Sequence, residues 1–179
     1  MFLAAAAAKV GELRHFDAEQ ALLKADVVEE INVEIPWEYQ KSSGAEWLLN
    51  KAIYGLVHAG RCWNNKFCND TTAIGFAQSK ADSCVFRKMA YKEAETVAIM
   101  HVDDILAQTE GQITMERFAA ELGRKLKLKD MSDVKYYMRR HMTRNRKAHE
   151  LKLDQSLYVK SMAEKFGVKK ASKVPACSG

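Results

Sequence analysis

Apolar and polar positions divide this chain into short segments of two periodicities. Thr96-Val97-Ala98-Ile99-Met100 is a mostly apolar run, Asp103-Asp104 interrupts it, and Ile105-Leu106-Ala107 begins a second run. Apolar runs of this length read as buried strands, and a polar pair between them reads as a hairpin turn or a site. Period two recurs in Glu12-Leu13-Arg14-His15-Phe16, in Ser83-Cys84-Val85-Phe86-Arg87, and in the acidic stretch Glu29 to Ile35, which stops at Pro36. Shorter strands are predicted at Trp47-Leu48-Leu49 and Leu151-Lys152-Leu153, and a longer one over 134–142. Helical spacing appears in Met115, Phe118, Ala119, Leu122 and Leu126, which predicts an amphipathic helix over 115–128.

Further helices are predicted over the Ala-rich start 1–10, over 18–26, over 63–74 with Gly75 as its stop, and over 155–166 between Asp154 as cap and Gly167 as terminator. Lys41-Ser42-Ser43-Gly44 reads as a turn, 55–60 as a loop, Lys92 and Glu93 as part of a strand connection, and 169–179 as a mobile tail. Hairpin-paired strands interleave with helices without strict βα alternation. That order predicts an α+β domain, an antiparallel sheet with helices on one face.

Composition changes the picture little. At 179 residues, 47% hydrophobic and 28% charged, the chain has the make-up of a globular protein with room for a core. No run approaches the length of a membrane span, so no membrane role is expected, while cysteines without disulfide-framework spacing lead to the expectation of an intracellular setting. Cys62, Cys68, Cys84 and Cys177 lack metal-site spacing and read as reduced thiols. The charge is uneven. Residues 1–123 hold 12 Lys/Arg and 18 Asp/Glu, a balance of −6, while residues 124–179 hold 16 and 5, a balance of +11. A basic C-terminal third suggests a polyanionic partner, or else a solvated basic face.

The candidate chemistry is carboxylate chemistry. Adjacent carboxylates repel and are costly to desolvate without a cation or a donor, so Asp103-Asp104 reads either as a solvated turn or as a divalent-metal site. Asp17 stands at the predicted junction of strand and helix, where it can cap the helix or ligate a metal. In an antiparallel sheet the end of the first strand and the hairpin tip can lie side by side. Asp17 and Asp103 could then meet across 86 residues. Hard oxygen ligands suit Mg²⁺ or Mn²⁺.

These residues, in order, resemble the reverse transcriptase domain of copia-type LTR retrotransposons. The stretch 13–23 is similar to the family's first catalytic motif, Gln-Met-Asp-Val-Lys-Thr-Ala-Phe-Leu. Leu49-Asn50-Lys51-Ala52-Ile53-Tyr54-Gly55-Leu56 with Ala59, Arg61 and Trp63 looks like its Leu-Tyr-Gly-Leu-Lys-Gln-Ala-Pro-Arg-x-Trp stretch. Gly75 to Phe86 is close to family text, and His101-Val102-Asp103-Asp104 resembles the Tyr-Val-Asp-Asp box. Lys129 to Tyr137 resembles Lys-Asp-Leu-Gly-x-Leu-Lys-Tyr-Phe, and Gln155, Tyr158, Lys165-Phe166-Gly167 and Val174-Pro175 match the family's region beyond it.

The resemblance implies a right-hand polymerase palm with most of the fingers missing and the start of a thumb. Its boundaries would be a palm with a fingers remnant over 1–142 and a basic, thumb-like segment with its tail over 143–179. It implies copying of RNA into DNA from dNTPs on an RNA/DNA template–primer. The chain would be one part of a Pol polyprotein that also holds integrase and RNase H, working in a cytoplasmic particle or the nucleus. By the same resemblance Asp17, Asp103 and Asp104 are catalytic and bind two Mg²⁺ (or Mn²⁺) ions, with Asp103 ranked above Asp104. Leu22 and His58 fall at nucleotide-binding positions, and His101, Tyr137, Arg139 and Arg140 at primer or template positions. Lys129 falls where the family has a lysine that can protonate pyrophosphate, although a solvated lysine is the plainer reading.

Several positions depart from the family pattern. His101 replaces Tyr or Phe, Leu22 replaces Phe, His58 replaces Gln, Gly60 replaces Pro, and Arg139 replaces Gly. Leu22 is expected to weaken discrimination between dNTP and rNTP, unless it is a core leucine. The departures, with the missing fingers, also fit a non-catalytic remnant that binds nucleic acid. A generic metal-dependent nuclease would use the same carboxylates, but the ordered motifs argue against it.

Overall fold

The computed structural model describes residues 2–40, 44–89 and 95–168. The predicted turn at Lys41, Ser42 and Ser43, the connection at Lys92 and Glu93, and the tail 169–179 lie outside the described residues. In chain order the elements are α1 (Phe2–Ala8), β1 (Glu12–Ala18), α2 (Ala21–Lys24), β2 (Asn32–Glu34), β3 (Glu46–Leu48), α3 (Ala59–Ala73), β4 (Ala77–Gln78) and β5 (Val85–Lys88). They continue with β6 (Thr96–His101), β7 (Asp104–Thr109), α4 (Gln112–Gly123), β8 (Leu128–Asp133), β9 (Tyr136–Tyr137), β10 (Arg140–Asn145), β11 (Glu150–Asp154) and α5 (Ser156–Lys165). The chain divides into two units, Gly11–Asp133 and Met1–Val10 with Val134–Gly179.

In the first unit an antiparallel sheet runs β4-β5-β6-β7-β1-β8. One face carries alternate residues of its strands: Phe16 and Ala18, Phe86, Ala98 and Met100, Ile105 and Ala107. These pack with Trp63 and Phe67 of α3 and with Met115, Phe118 and Leu122 of α4 in one core. Aromatic edges fix the fit, with Phe67 meeting Phe86 at 5.0 Å between ring centres and Phe118 meeting Phe16 at 5.8 Å and Phe76 at 5.5 Å. Mixed helix and antiparallel sheet is therefore the observed class, as the element order predicted. Among the described residues no helix is long and apolar enough to cross a membrane.

Gly11 leads into β1 under a tight constraint. A Cβ there would sit 2.1 Å from the Thr109 carbonyl oxygen, so the close approach of β1 and β7 at this end requires glycine.

Several elements differ from their predicted spans. The first strand extends through Asp17 to Ala18, because β7 pairs on one side of it and β8 on the other. The predicted helix over 18–26 shrinks to the four residues of α2, which starts after Gln20 at φ 56°. Asp17 therefore lies within a strand and does not cap that helix. The helix α3 begins at Ala59, earlier than expected, and so shortens the predicted loop. The helix α4 ends at Gly123, and Leu128, the last residue of the predicted helical span, instead opens β8 against Ala18.

The second unit is a three-stranded antiparallel sheet, β11-β10-β9, with α1 and α5. The strand predicted over 134–142 is broken into β9 and β10 by a two-residue turn at Met138-Arg139, both at positive φ (47° and 61°). Arg144 donates from Nη2 to the carbonyls of Ala6 (2.8 Å) and Lys9 (2.9 Å), which satisfies the otherwise open C-terminal end of α1. The N-cap position of α5 is Gln155 and not the predicted Asp154, which stands one residue earlier and accepts the Ser156 amide on Oδ1 at 3.2 Å. That bond first, and the His141 ring second, hold the Asp154 carboxyl below its ordinary range.

Candidate active site

The sequence folds three distant stretches onto one row of the sheet. His101 of β6 stands opposite Asp104 of β7, Asp104 opposite Asp17 of β1, and Asp17 opposite Lys129 of β8. Directly paired residues of antiparallel strands point to the same face, so these four side chains share the face opposite the aromatic core. Asp103 occupies the turn beside the row. Its carbonyl accepts the Ala18 amide at 2.8 Å, which ties the turn to the end of β1.

The turn itself is strained. Val102 and Asp103 are the two central residues between paired His101 and Asp104, and Val102 has φ 57°. Positive φ at the first central position is the sign pattern of a type II′ hairpin, where glycine is the usual occupant. A β-branched residue there costs roughly 1–3 kcal/mol and needs support from its surroundings. Part of that support is visible. Trp63, buried on α3, donates its indole N–H to the Val102 carbonyl at 2.5 Å.

Asp104 is also held. The His15 ring donates from Nε2 to Asp104 Oδ1 at 2.6 Å, with His15 two residues before Asp17 on the same face of β1. A carboxylate only accepts, so this bond requires a proton on Nε2 of the His15 ring. Nearby, the Lys127 ammonium bonds Glu19 and holds that carboxyl below its usual range.

The donor set has the chemistry a hard divalent cation requires, carboxylate oxygen from Asp17, Asp103 and Asp104. Among the described residues, however, no three His, Cys, Asp or Glu side chains are gathered closely enough to hold an ion by themselves. Mg²⁺ commonly takes only one or two protein carboxylates and completes its shell with other oxygen donors and water, so a pair from this set is compatible with such an ion.

The other sequence-predicted residues stand in varied settings. Leu22 is buried in the core of the first unit, which supports the reading of a core leucine. His58 is exposed just before α3, 3.9 Å from a Glu29 carboxylate oxygen. His101 is exposed at the end of β6. In the second unit Tyr137 is buried in β9 opposite Arg140, and Arg139 is exposed in the adjoining turn. Sequence reasoning missed His15 and the support given by Trp63. Period two counted back from Asp17 reaches His15, but nothing local links position 63 to position 102.

The sequence model of the family described as "Reverse transcriptase (RNA-dependent DNA polymerase)" matches residues 1–177. The chain belongs to this reverse transcriptase family. Its relatives include the retrovirus-related Pol polyprotein from transposon TNT 1-94 of Nicotiana tabacum, 26% identical over 165 residues, which are 91% of this chain and 12% of that protein. The corresponding Pol polyproteins from transposons RE2 and RE1 of Arabidopsis thaliana are each 24% identical, over 133 and 128 residues, 70% of this chain and 9% of theirs. The chain thus spans about a tenth of the length of these relatives, and the resemblance read from the motifs holds at the level of the family. No solved structure matches.

Proposed function

We propose that this reverse transcriptase segment is the palm of an RNA-directed DNA polymerase, with its reaction centre on the row formed by Asp17, Asp104 and the Asp103 turn. One observation carries the reading: carboxylates from two distant segments of the chain meet within a single step of strand pairing. Like charges in that arrangement call for a cation. Asp17 and Asp103 would hold it, with Asp104 beside them and oriented by His15. Two Mg²⁺ or Mn²⁺ ions bound there would supply acidification of a primer 3′-hydroxyl and neutralisation of the departing pyrophosphate.

The protein's own share is positioning. Rigid paired strands fix the carboxylates better than loops would, and in-line phosphoryl displacement depends mainly on alignment and charge. Lys129 extends the row with a cation on the far side of Asp17, and the exposed His101 edge would face the primer end. His58, exposed just before α3, would contact the incoming dNTP. The exposed Arg139 and Arg140 would contact the template–primer backbone, whereas Tyr137, buried in β9, would not reach it. Such a centre would work as part of a Pol polyprotein, beside its integrase and RNase H.

Primer extension on an RNA template with Mg²⁺ and with Mn²⁺, using wild type and D103N, tests the proposal. Extension by wild type that D103N abolishes supports it. Absent extension with salt-sensitive binding to template–primer would instead favour a non-catalytic nucleic-acid-binding remnant, a reading the basic balance of residues 124–179 keeps in play.

A further inference from the structure

We infer that Trp63 is a positioning residue for the Asp103-Asp104 hairpin, holding the strained turn through its indole N–H and so setting where the carboxylates stand. The inference rests on the reading of that hairpin as the metal-binding centre. The turn has an intrinsic reason to relax, because Val102 is β-branched and sits at φ 57°. Its carbonyl is gripped by an indole that is itself fixed: Trp63 is 1% exposed, lies within the 15-residue helix α3, and packs on Phe67 at 5.8 Å between ring centres. On the other side the Asp103 carbonyl is gripped by the Ala18 amide. The two peptide groups of the turn are therefore pinned from α3 and from β1, with Asp103 between the two anchors.

A buried indole often finds some acceptor for its N–H, and such a bond alone would make Trp63 a satisfied core residue. What separates the two roles is the strain at Val102. If the indole holds a turn that would otherwise relax, removing the strain removes the need for the indole. Glycine at position 102 adopts positive φ at no steric cost.

The test is a four-cornered cycle in the full chain: wild type, W63F, V102G and W63F/V102G. Two readouts are taken. One is hydrogen-exchange protection of the Ala18 amide, which reports whether the Asp103 carbonyl is still in place. The other is Mn²⁺ affinity measured by electron paramagnetic resonance. W63F is expected to lower Ala18 protection and to weaken Mn²⁺ binding by about tenfold each, the worth of one part-buried hydrogen bond. In the V102G background the same substitution is expected to cost less than about twofold, since the turn then holds itself. Equal losses in both backgrounds, or no loss in either, overturn the inference.

Should W63F fail to fold, a benzothiophene analogue of tryptophan at position 63 keeps the ring shape and removes only the N–H, and the same cycle is read with it. If none of the four chains binds Mn²⁺, the polymerase reading falls, while the Ala18 protection cycle still decides the role of Trp63.

Discussion

A single side chain decides more at three positions here than its type suggests. Leu22 occupies a position that family resemblance links to the sugar of the nucleotide, yet it is buried among core residues. Replacing it with phenylalanine adds volume to a filled core, so L22F is expected to cost about 1–3 kcal/mol in urea denaturation. An L22F chain as stable as wild type would show that Leu22 has free space beside it. Gly11 is the second case. A methyl group there meets the Thr109 carbonyl at 2.1 Å, and backbone cannot step aside as a side chain can. G11A is expected to lose about 2 kcal/mol and to lower Tm by roughly 5 °C. The third is Asp154, whose carboxyl is held below its usual value of 3.8 by the Ser156 amide and then by His141. A depressed folded-state pKa stabilises above the unfolded value and is lost as pH falls through the folded one. The support Asp154 gives α5 is therefore complete above about pH 4 and fades in more acidic solution, and an NMR titration of the Ser156 amide should show the bond released there. D154N should remove that acid-range transition.

Elements in this chain are short and depend on their partners. The hairpin of β2 and β3 places Glu34 directly opposite Glu46. Like charges facing one another across strands are destabilising, so E46K is expected to raise hydrogen-exchange protection in β2 and β3, by roughly 0.5 kcal/mol. Two other turns show why element boundaries were only partly legible. The Asp103 hairpin was readable because apolar runs flank an acidic pair within a short span. The turn between β9 and β10 was not, because Met138 and Arg139 take positive φ without the Asn-Gly or Gly signals that mark such turns. The end of α4 was misread for a related reason. Leu126 continues the helical spacing of Leu122 past Gly123, and it is pairing of Leu128 with Ala18 that makes 128–133 a strand.

For the molecule as a whole, charge and chain order carry the functional argument. The surplus of 11 positive charges in residues 124–179 predicts binding to template–primer that weakens steeply with salt. Replacing Arg139 and Arg140 together by alanine should make the log–log salt slope shallower by about 2, and an unchanged slope would place the nucleic acid elsewhere. The sequence alone determined the α+β class, the family, the existence of the hairpin and the identity of the candidate carboxylates, because each is written in local periodicity or in ordered motifs. Only the tertiary structure decided that Asp17 pairs with Asp104 rather than capping a helix, that His15 holds Asp104, and that Trp63 grips Val102. Those contacts join positions from 39 to 89 residues apart. Such pairings are chosen by strand register and by how α3 packs on the sheet, and neither is encoded by any one stretch of the chain.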